Sequence, residues 1–264
     1  MPKPVTLRTL VEHRANASAF SCLTAYDASL ARCADAAGVD VLLVGDSLGM
    51  VLQGHSDTLA VTLDDMIYHT RCVASGRQHS LLMADLPFMT NVTTEQILHS
   101  AGALMRAGAQ MVKLEGEAWL AEAVTALARR GVPVCVHMGL TPQSVHAFGG
   151  YRVQGRDEVQ AQHLIEAAQT LEAAGAAVIL LECVPRVLAQ RLHAAVSVPV
   201  IGIGAGPEVD GQILVMHDML GATSGRVPRF VRNFLAGSGS LQDAFRAYHE
   251  AVRERRFPAD EHCF

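Results

Sequence analysis

The chain has 264 residues, half of them hydrophobic, which is enough for one large domain with a mostly aliphatic core. The formal net charge is −5 at pH 7 and the basic residues are scattered, which excludes the basic stripe of a nucleic-acid-binding protein. Without a signal peptide, a C-x-x-C pair or the roughly 18 consecutive apolar residues of a membrane span, the sequence predicts a cytoplasmic protein with reduced thiols and no membrane partner.

One sequence pattern recurs along the chain: a helical segment, a glycine, a short apolar run and then a polar residue. Clear copies span residues 34–46, 104–116, 126–139 and 171–183, and a looser copy spans residues 74–87. Their glycines, which we expect to end each helix in a left-handed conformation, are Gly38, Gly108, Gly131, Gly175 and Gly76. The apolar runs are too short for helices, so the pattern predicts alternating helices and buried parallel strands.

The pattern predicts seven strands, and a further apolar run predicts an eighth. They lie at 20–24, 41–44, 81–84, 111–114, 134–137, 178–182 and 200–203, with the eighth near 213–215. Eight strands favour an α/β fold of the closed (β/α)8 TIM-barrel type, in a single domain over residues 1–264, with additional N- and C-terminal helices. A helix is expected at 241–255. An open doubly wound sheet is the main alternative.

Polar residues stand where the predicted strands end. They are Asp46, Asp85, Lys113, Glu115, His137 and Glu182. Taken singly, the acids could cap helices, Lys113 and Glu115 could form a buried ion pair, and His137 could be a hydrogen-bonded core residue. A barrel gathers these strand ends at one rim, where the active sites of such barrels lie. The coincidence therefore favours a catalytic site.

The residue types indicate a hard metal ion and an acidic substrate. Carboxylates without clustered His or Cys favour Mg²⁺, and a 2-oxo acid offers two oxygens that can chelate such an ion. The ion would stabilise the enolate formed when the neighbouring carbon loses a proton, with Glu182 as the candidate base. Lys113 could stabilise the enolate oxygen, or it could form a Schiff base that makes a metal unnecessary.

A glycine-rich segment at 201–206 follows the seventh predicted strand. It lacks the later glycine of a dinucleotide-binding fingerprint, although barrels often bind phosphate near this position. We favour the simpler interpretation that its glycines allow another group to approach the backbone closely.

Several long strings carry a resemblance to a known family. They are VGDSLGM (44–50), ADLPFM (84–89), KLEG (113–116), GLTPQSVHAFGGYRVQGR (139–156), LLECVP (180–185) and IGIGAG with DGQILVMHD (201–218). At this spacing the chain resembles ketopantoate hydroxymethyltransferases, from about residue 20 to the closing FPADEHCF.

The resemblance implies a barrel enzyme that assembles as a homodecamer of two pentameric rings, with one Mg²⁺ per subunit. It implies transfer of a hydroxymethyl group from 5,10-methylenetetrahydrofolate to 3-methyl-2-oxobutanoate through a Mg-stabilised enolate. The product is 2-dehydropantoate, on the route to pantothenate and coenzyme A. The partners implied are thus a small 2-oxo acid, a folate and further copies of the chain.

By motif, the resemblance also implies roles for individual residues. Asp46 and Asp85 match the Mg²⁺ ligands, Glu115 matches a third acid near the metal, and Glu182 matches the proton acceptor. Ser47, Lys113 and both aspartates match substrate contacts, and His137 matches a histidine that lines the same pocket. Among the departures from the family pattern, Val136, Ala60, Arg229 and Arg232 remove none of these residues.

Three rival interpretations remain open from the sequence. Lyases of the isocitrate lyase and phosphoenolpyruvate mutase group also use a Mg²⁺ enolate in a barrel, but their K-K-C-G-H loop is missing from this sequence. A Schiff-base aldolase would use Lys113 instead of a metal. A catalytically silent barrel is disfavoured, because a scaffold has no need to gather charge at one rim.

Overall fold

In the computed structural model, which describes residues 3–223, 225 and 227–264, eight parallel strands close into a barrel in chain order. The strands are β1 (Phe20–Thr24), β2 (Val41–Val44), β3 (Leu81–Asp85), β4 (Met111–Glu115), β5 (Val134–Gly139), β6 (Val178–Glu182), β7 (Val200–Ile203) and β8 (Gly211–Leu214). Strand β1 pairs with both β2 and β8, so no edge is left open. The predicted closed barrel is confirmed and the open sheet is wrong. Of the single domain predicted over 1–264, residues Met1, Pro2, Ser224 and Arg226 lie outside the described residues, and the one-domain organisation stays a prediction.

Helices surround the strands. They are α1 (Leu7–Ala15), α2 (Ala28–Ala36), α3 (Leu48–Val51), α4 (Leu63–Gly76), α5 (Thr94–Ala107), α6 (Ala121–Ala128), α7 (Val145–Phe148), α8 (Glu158–Ala174), α9 (Arg186–Ala195), α10 (Met216–Met219) and α11 (Leu241–Arg253). The predicted extra helices at both ends are confirmed as α1 and α11. Helix α11 packs against β1 and α2, and its Tyr248 hydroxyl lies 2.8 Å from Cys22 O and 2.9 Å from Gln212 O. This side chain therefore connects the first and last strands of the barrel.

The strands are buried on both faces, which explains their nearly continuous apolar sequences. Seven of the predicted strands are found with shifts of at most two residues at either end. The eighth begins at Gly211, two residues earlier than predicted. Residues 204–210 connect it directly to β7, without a helix between the two strands. Gly211 also allows the Phe20 ring to pack against the strand, since a Cβ there would lie 2.4 Å from Phe20 Cε2.

Four of the five glycines predicted to end helices do so with positive φ angles. They are Gly38, Gly108, Gly131 and Gly175. The prediction for Gly76 is wrong, because this residue is the last of α4 and extended Arg77 follows it. A Cβ at Gly76 would lie 2.2 Å from Ala28 O, so the glycine lets α4 approach α2 closely.

Two further expectations concern the environment of the chain. All six cysteines are free thiols, as predicted; four are buried, whereas Cys33 and Cys72 are partly exposed. Within the described ranges, every helix is too short or too polar to cross a membrane.

Candidate active site

The strand-end residues meet at the carboxyl end of the barrel. Asp85, Glu115 and Glu182 are the last residues of β3, β4 and β6, and Asp46 follows β2 by two positions. Strand register places Lys113 beside Asp85 and His137 beside Glu115. All six predicted residues line one cavity of about 1510 Å³. Their predicted convergence is therefore present in the structure.

Lys113 points into the barrel and lies among the acids. Its Nζ is 2.7 Å from Asp85 Oδ1 and 3.8 Å from Glu115 Oε1, and the three side chains are at most 4% exposed. Burial alone favours a neutral amine, but the carboxylates of Asp85, Glu115 and Asp46 outweigh it and raise the pKa of Lys113. The side chain is thus an ammonium suited to electrostatic stabilisation, whereas a Schiff base needs the neutral amine.

Each buried acid has one oxygen held by an N–H group. Gln143 Nε2 donates to Asp46 Oδ2 at 2.8 Å, and the Gln143 backbone N–H donates to Glu115 Oε2 at 2.9 Å. The Asp46 backbone N–H donates to Asp85 Oδ2 at 3.1 Å. Asp85 Oδ1 and Glu115 Oε1, although buried, accept no well-oriented hydrogen bond. Their nearest charged neighbour is the Lys113 ammonium, 2.7 Å from Asp85 Oδ1 and 3.8 Å from Glu115 Oε1, so both oxygens face positive charge.

Sequence reasoning missed Gln143. It lies in a 3₁₀ turn, Pro142–Ser144, that follows β5, so it does not stand at a strand end. The only sign of it in the sequence is its place in the string at 139–156, after a proline that starts a turn. Its amide also donates to Leu86 O at 3.0 Å, which fixes the side chain between two loops.

The acid cluster carries more negative charge than Lys113 can neutralise. Burial, reinforced by repulsion from Glu115, raises the pKa of Asp46 to about 7. Burial also raises the pKa of Asp85 to about 7, with Lys113 opposing the shift and Asp46 adding to it. A divalent cation would relieve this repulsion, and the oxygen donors fit a hard ion such as Mg²⁺.

The acid cluster fits a cation whose remaining coordination positions are filled by ligands from outside the protein. Across the described residues, no three His, Cys, Asp or Glu side chains form a ready-made cage for a metal. Few protein ligands leave coordination positions for water and for the oxygens of a chelating substrate. The three predicted metal ligands, Asp46, Asp85 and Glu115, do not form such a cage, and their role as ligands stays a prediction.

His137 connects Lys113 with Glu182. Lys113 Nζ lies 3.1 Å from His137 Nδ1, and an ammonium can only donate, so Nδ1 is unprotonated. The ring proton is then on Nε2, which is 3.2 Å from Glu182 Oε2. Burial, together with the charge of Lys113, lowers the pKa of His137 to about 4, which keeps the ring neutral near pH 7. The neutral ring thus lies beside the candidate base, although Nε2 makes no well-oriented hydrogen bond to it.

Ser47 lines the same cavity just before α3. Its Oγ is 2.9 Å from the hydroxyl oxygen of Tyr26, a fully buried residue that sequence reasoning did not single out. The contact fixes Ser47 at the edge of the acid cluster, in a position to meet a substrate bound there.

Comparison with known proteins assigns the family. Residues 4–260 match the family model described as ketopantoate hydroxymethyltransferase. The chain belongs to the ketopantoate hydroxymethyltransferase family. It is 67% identical to the 3-methyl-2-oxobutanoate hydroxymethyltransferase of Chromohalobacter salexigens over 99% of this chain and 100% of that protein. It is 60% identical to the protein of the same name from Marinobacter nauticus over 98% of each chain.

Solved structures share the barrel at much lower sequence identity. Phosphonopyruvate hydrolase matches 97% of this chain and 99% of its own with a TM-score of 0.64 and 16% identity. A 2,3-dimethylmalate lyase of the PEP mutase/isocitrate lyase superfamily matches 84% of each chain with a TM-score of 0.61 and 19% identity. These likenesses show the fold alone. The high identity to hydroxymethyltransferases identifies the chain as a transferase and not as one of the rival lyases.

Proposed function

We propose that the chain transfers a hydroxymethyl group from 5,10-methylenetetrahydrofolate to 3-methyl-2-oxobutanoate. The product would be 2-dehydropantoate, a precursor of pantothenate and coenzyme A. The observation that carries this proposal is the buried acid cluster beside the His137–Glu182 pair, in a chain 67% identical to a protein named for this reaction. The cluster suits a chelating 2-oxo acid, and the pair suits removal of a proton from the neighbouring carbon.

Asp46 and Asp85 would hold one Mg²⁺ per subunit, with Glu115 nearby. When bound, this ion supplies positive charge that polarises the keto group of the substrate. The surplus of negative charge in the cluster, where three buried acids face the single Lys113 ammonium, supports this assignment. Phosphonopyruvate hydrolase, which shares the fold at 16% identity with a TM-score of 0.64, was itself solved with oxalate and Mg²⁺.

The residues of the chain would then divide the work of binding and proton transfer. Ser47 and Lys113 contact the oxo acid, and the Lys113 ammonium stabilises negative charge that develops on the keto oxygen. Glu182 takes the proton from C3, with the neutral His137 ring beside its carboxylate, Nε2 being 3.2 Å from Oε2. The electron pair left on C3 forms the new bond to the one-carbon unit.

The atoms of the reaction balance with water as the third reactant. The C3–H bond breaks and the C3–CH₂ bond forms, while both carbon–nitrogen bonds of the donor's methylene group are lost. Water supplies the hydroxyl oxygen, and the nitrogens of tetrahydrofolate take up the protons that are released. The reaction as a whole needs no external oxidant or reductant.

Deuterium exchange at C3 of 3-methyl-2-oxobutanoate, followed by proton NMR, tests the first step without folate. We expect rapid exchange that needs Mg²⁺, stops with chelator and is lost in Glu182→Gln. The matched control is Glu117→Gln, because Glu117 lies outside the cavity and pairs with the partly exposed His163. This control should exchange like the wild type.

Two other results would contradict the proposal. Exchange that is insensitive to chelator would favour Schiff-base chemistry at Lys113, which borohydride trapping with substrate would detect. No exchange under any condition would exclude the enolate mechanism altogether.

We also propose a cytoplasmic homodecamer, which the family resemblance supports. Ten chains of 28.2 kDa correspond to about 280 kDa. Light scattering after size-exclusion chromatography measures this mass directly, and a monomer or dimer would contradict the proposal.

A further inference from the structure

The cavity is larger than the proposed oxo acid needs. Pockets for a single drug-sized ligand usually measure about 300 to 1,000 Å³, whereas this cavity measures about 1510 Å³. The acid cluster and Glu182 occupy only part of the lining. The rest of the cavity is therefore available to a second, larger ligand.

One part of this lining is aromatic. Phe230 and Phe264 face each other edge to face, with ring centroids 6.5 Å apart, and we call this pair the aromatic wall. The Arg229 guanidinium lies over the Phe264 ring, 5.9 Å from its centroid, and Arg229 Nε is held by Glu261 O at 2.8 Å. Phe264 is only half-buried. A partly exposed ring in a cavity offers a flat apolar surface that neither the metal ligands nor the base uses.

The glycine-rich segment explains how the wall reaches the barrel. Gly204 has a φ of +60°, and a Cβ there would lie 2.9 Å from the Phe230 ring and 3.1 Å from the Phe264 ring. Only glycine allows both rings to pack against the end of β7. The close approach expected for this segment is therefore made by two phenylalanines from the C-terminal part of the chain.

The wall lies next to the candidate base. Ile203, which precedes Gly204, pairs with Glu182 in the register of β6 and β7. The Cys183 N–H donates to Ile203 O at 2.9 Å, and the Arg186 N–H donates to Phe264 O at 3.0 Å. The residues that follow Glu182 are thus hydrogen-bonded both to β7 and to the wall.

We propose that the aromatic wall is the subsite for the pterin ring system of the one-carbon donor, which stacks against Phe264. This inference rests on the proposed function. The carbon that loses its proton to Glu182 is also the carbon that receives the one-carbon unit, so the donor must approach beside Glu182. The donor carries its reactive carbon on a flat ring system, and stacking on an aromatic side chain is the common way proteins bind such rings.

The test compares Phe264→Leu, which keeps apolar bulk but loses the flat face, with Phe264→Tyr, which keeps the ring. We expect Phe264→Leu to raise the KM for 5,10-methylenetetrahydrofolate about ten-fold, in line with the loss of one stacking contact, while the KM for the oxo acid changes little. Phe264→Tyr should stay close to the wild type. Phe88→Leu is the matched control, because Phe88 is 39% exposed and lies outside the cavity.

Direct binding separates this proposal from the proposed function. Calorimetric titration with 6-methyltetrahydropterin, which has the ring system but no tail, should show weaker binding to Phe264→Leu than to Phe264→Tyr. Equal pterin affinity and equal folate KM in the three Phe264 forms would overturn the subsite. C3 exchange, measured without folate in each protein, reports on the acid cluster and Glu182. If exchange fails in the wild type, the proposed function is wrong, whatever the pterin titrations show.

Discussion

Gln143 determines which carboxylate oxygens of the acid cluster remain available. Its side chain holds Asp46 Oδ2 and Leu86 O, and its backbone N–H holds Glu115 Oε2. One residue thereby fixes two acids that come from different strands. A group that orients metal ligands in this way commonly changes metal affinity when it is removed, even though it never touches the ion.

We therefore predict that Gln143→Ala weakens Mg²⁺ binding by about 10- to 100-fold. The backbone N–H of residue 143 still donates to Glu115 after this substitution. The loss of Mg²⁺ affinity therefore measures the effect of the side-chain hydrogen bond to Asp46. Isothermal titration with Mg²⁺, or electron paramagnetic resonance with Mn²⁺, measures the affinity. Gln162→Ala is the control, because Gln162 bonds only to Glu166 on the exposed side of α8. Equal affinities in the two variants would show that Gln143 has no such role.

The sequence predicted the charged members of the site but not the residues that hold them. Asp85 and Glu182 each follow an apolar run, and Glu115 ends a strand in which Lys113 is the one other charged residue, so each pattern is visible in a single segment. Gln143 meets Asp46 across 97 positions of sequence and Glu115 across 28, so its role depends on how separate loops meet. No local pattern contains that information.

At the scale of elements, the strands were predictable because burial on both faces requires runs of apolar residues. Strand β8 was harder to predict, since Gly211 and Gln212 interrupt its apolar pattern. Gly76 was misjudged because a glycine near a helix end usually marks a stop, whereas here it marks a contact with α2. A glycine that ends a helix and a glycine at a helix–helix contact look the same in a sequence. Only the neighbouring helix in the folded protein distinguishes them.

Two helical glycines give a matched stability test. In Gly76→Ala the new methyl group would meet the Ala28 backbone at 2.2 Å, so we expect destabilisation of about 1 to 3 kcal/mol from overpacking. In Gly102→Ala the nearest group is the flexible end of Arg106 at 3.3 Å. Helix propensity then predicts a gain of up to about 1 kcal/mol. Urea denaturation measures both values, and a neutral Gly76→Ala would disprove the close contact.

For the whole molecule, the buried acids make stability depend on pH. The pKa of Asp46 and of Asp85 rises from 3.8 to about 7 on folding without a cation. Between these values the folded protein holds protons that the unfolded chain has released, so this contribution to stability falls as pH rises. His137 acts in the opposite direction, because its pKa falls from 6.5 to about 4 and its contribution is lost as pH falls through that range.

A divalent cation bound as proposed would compete with protons for these carboxylates, so stabilisation by Mg²⁺ should grow with pH. We expect the rise in Tm caused by Mg²⁺ to be larger at about pH 8 than at about pH 6, because fewer protons must then be displaced. Thermal denaturation with and without Mg²⁺ at each pH measures this difference. In Asp85→Asn the effect of Mg²⁺ should largely disappear. An equal Mg²⁺ effect at both pH values would contradict proton-linked binding.

The hydroxyl of Tyr248 contacts both Cys22 in β1 and Gln212 in β8. These two neighbouring strands are made at opposite ends of translation. During translation β1 emerges early, whereas its partner β8 and the tyrosine above their junction emerge near the end. Until then the nascent sheet has an unpaired β1 edge, and such edges invite pairing with other chains. The growing polypeptide thus carries this exposed edge until residues 211–214 have been made.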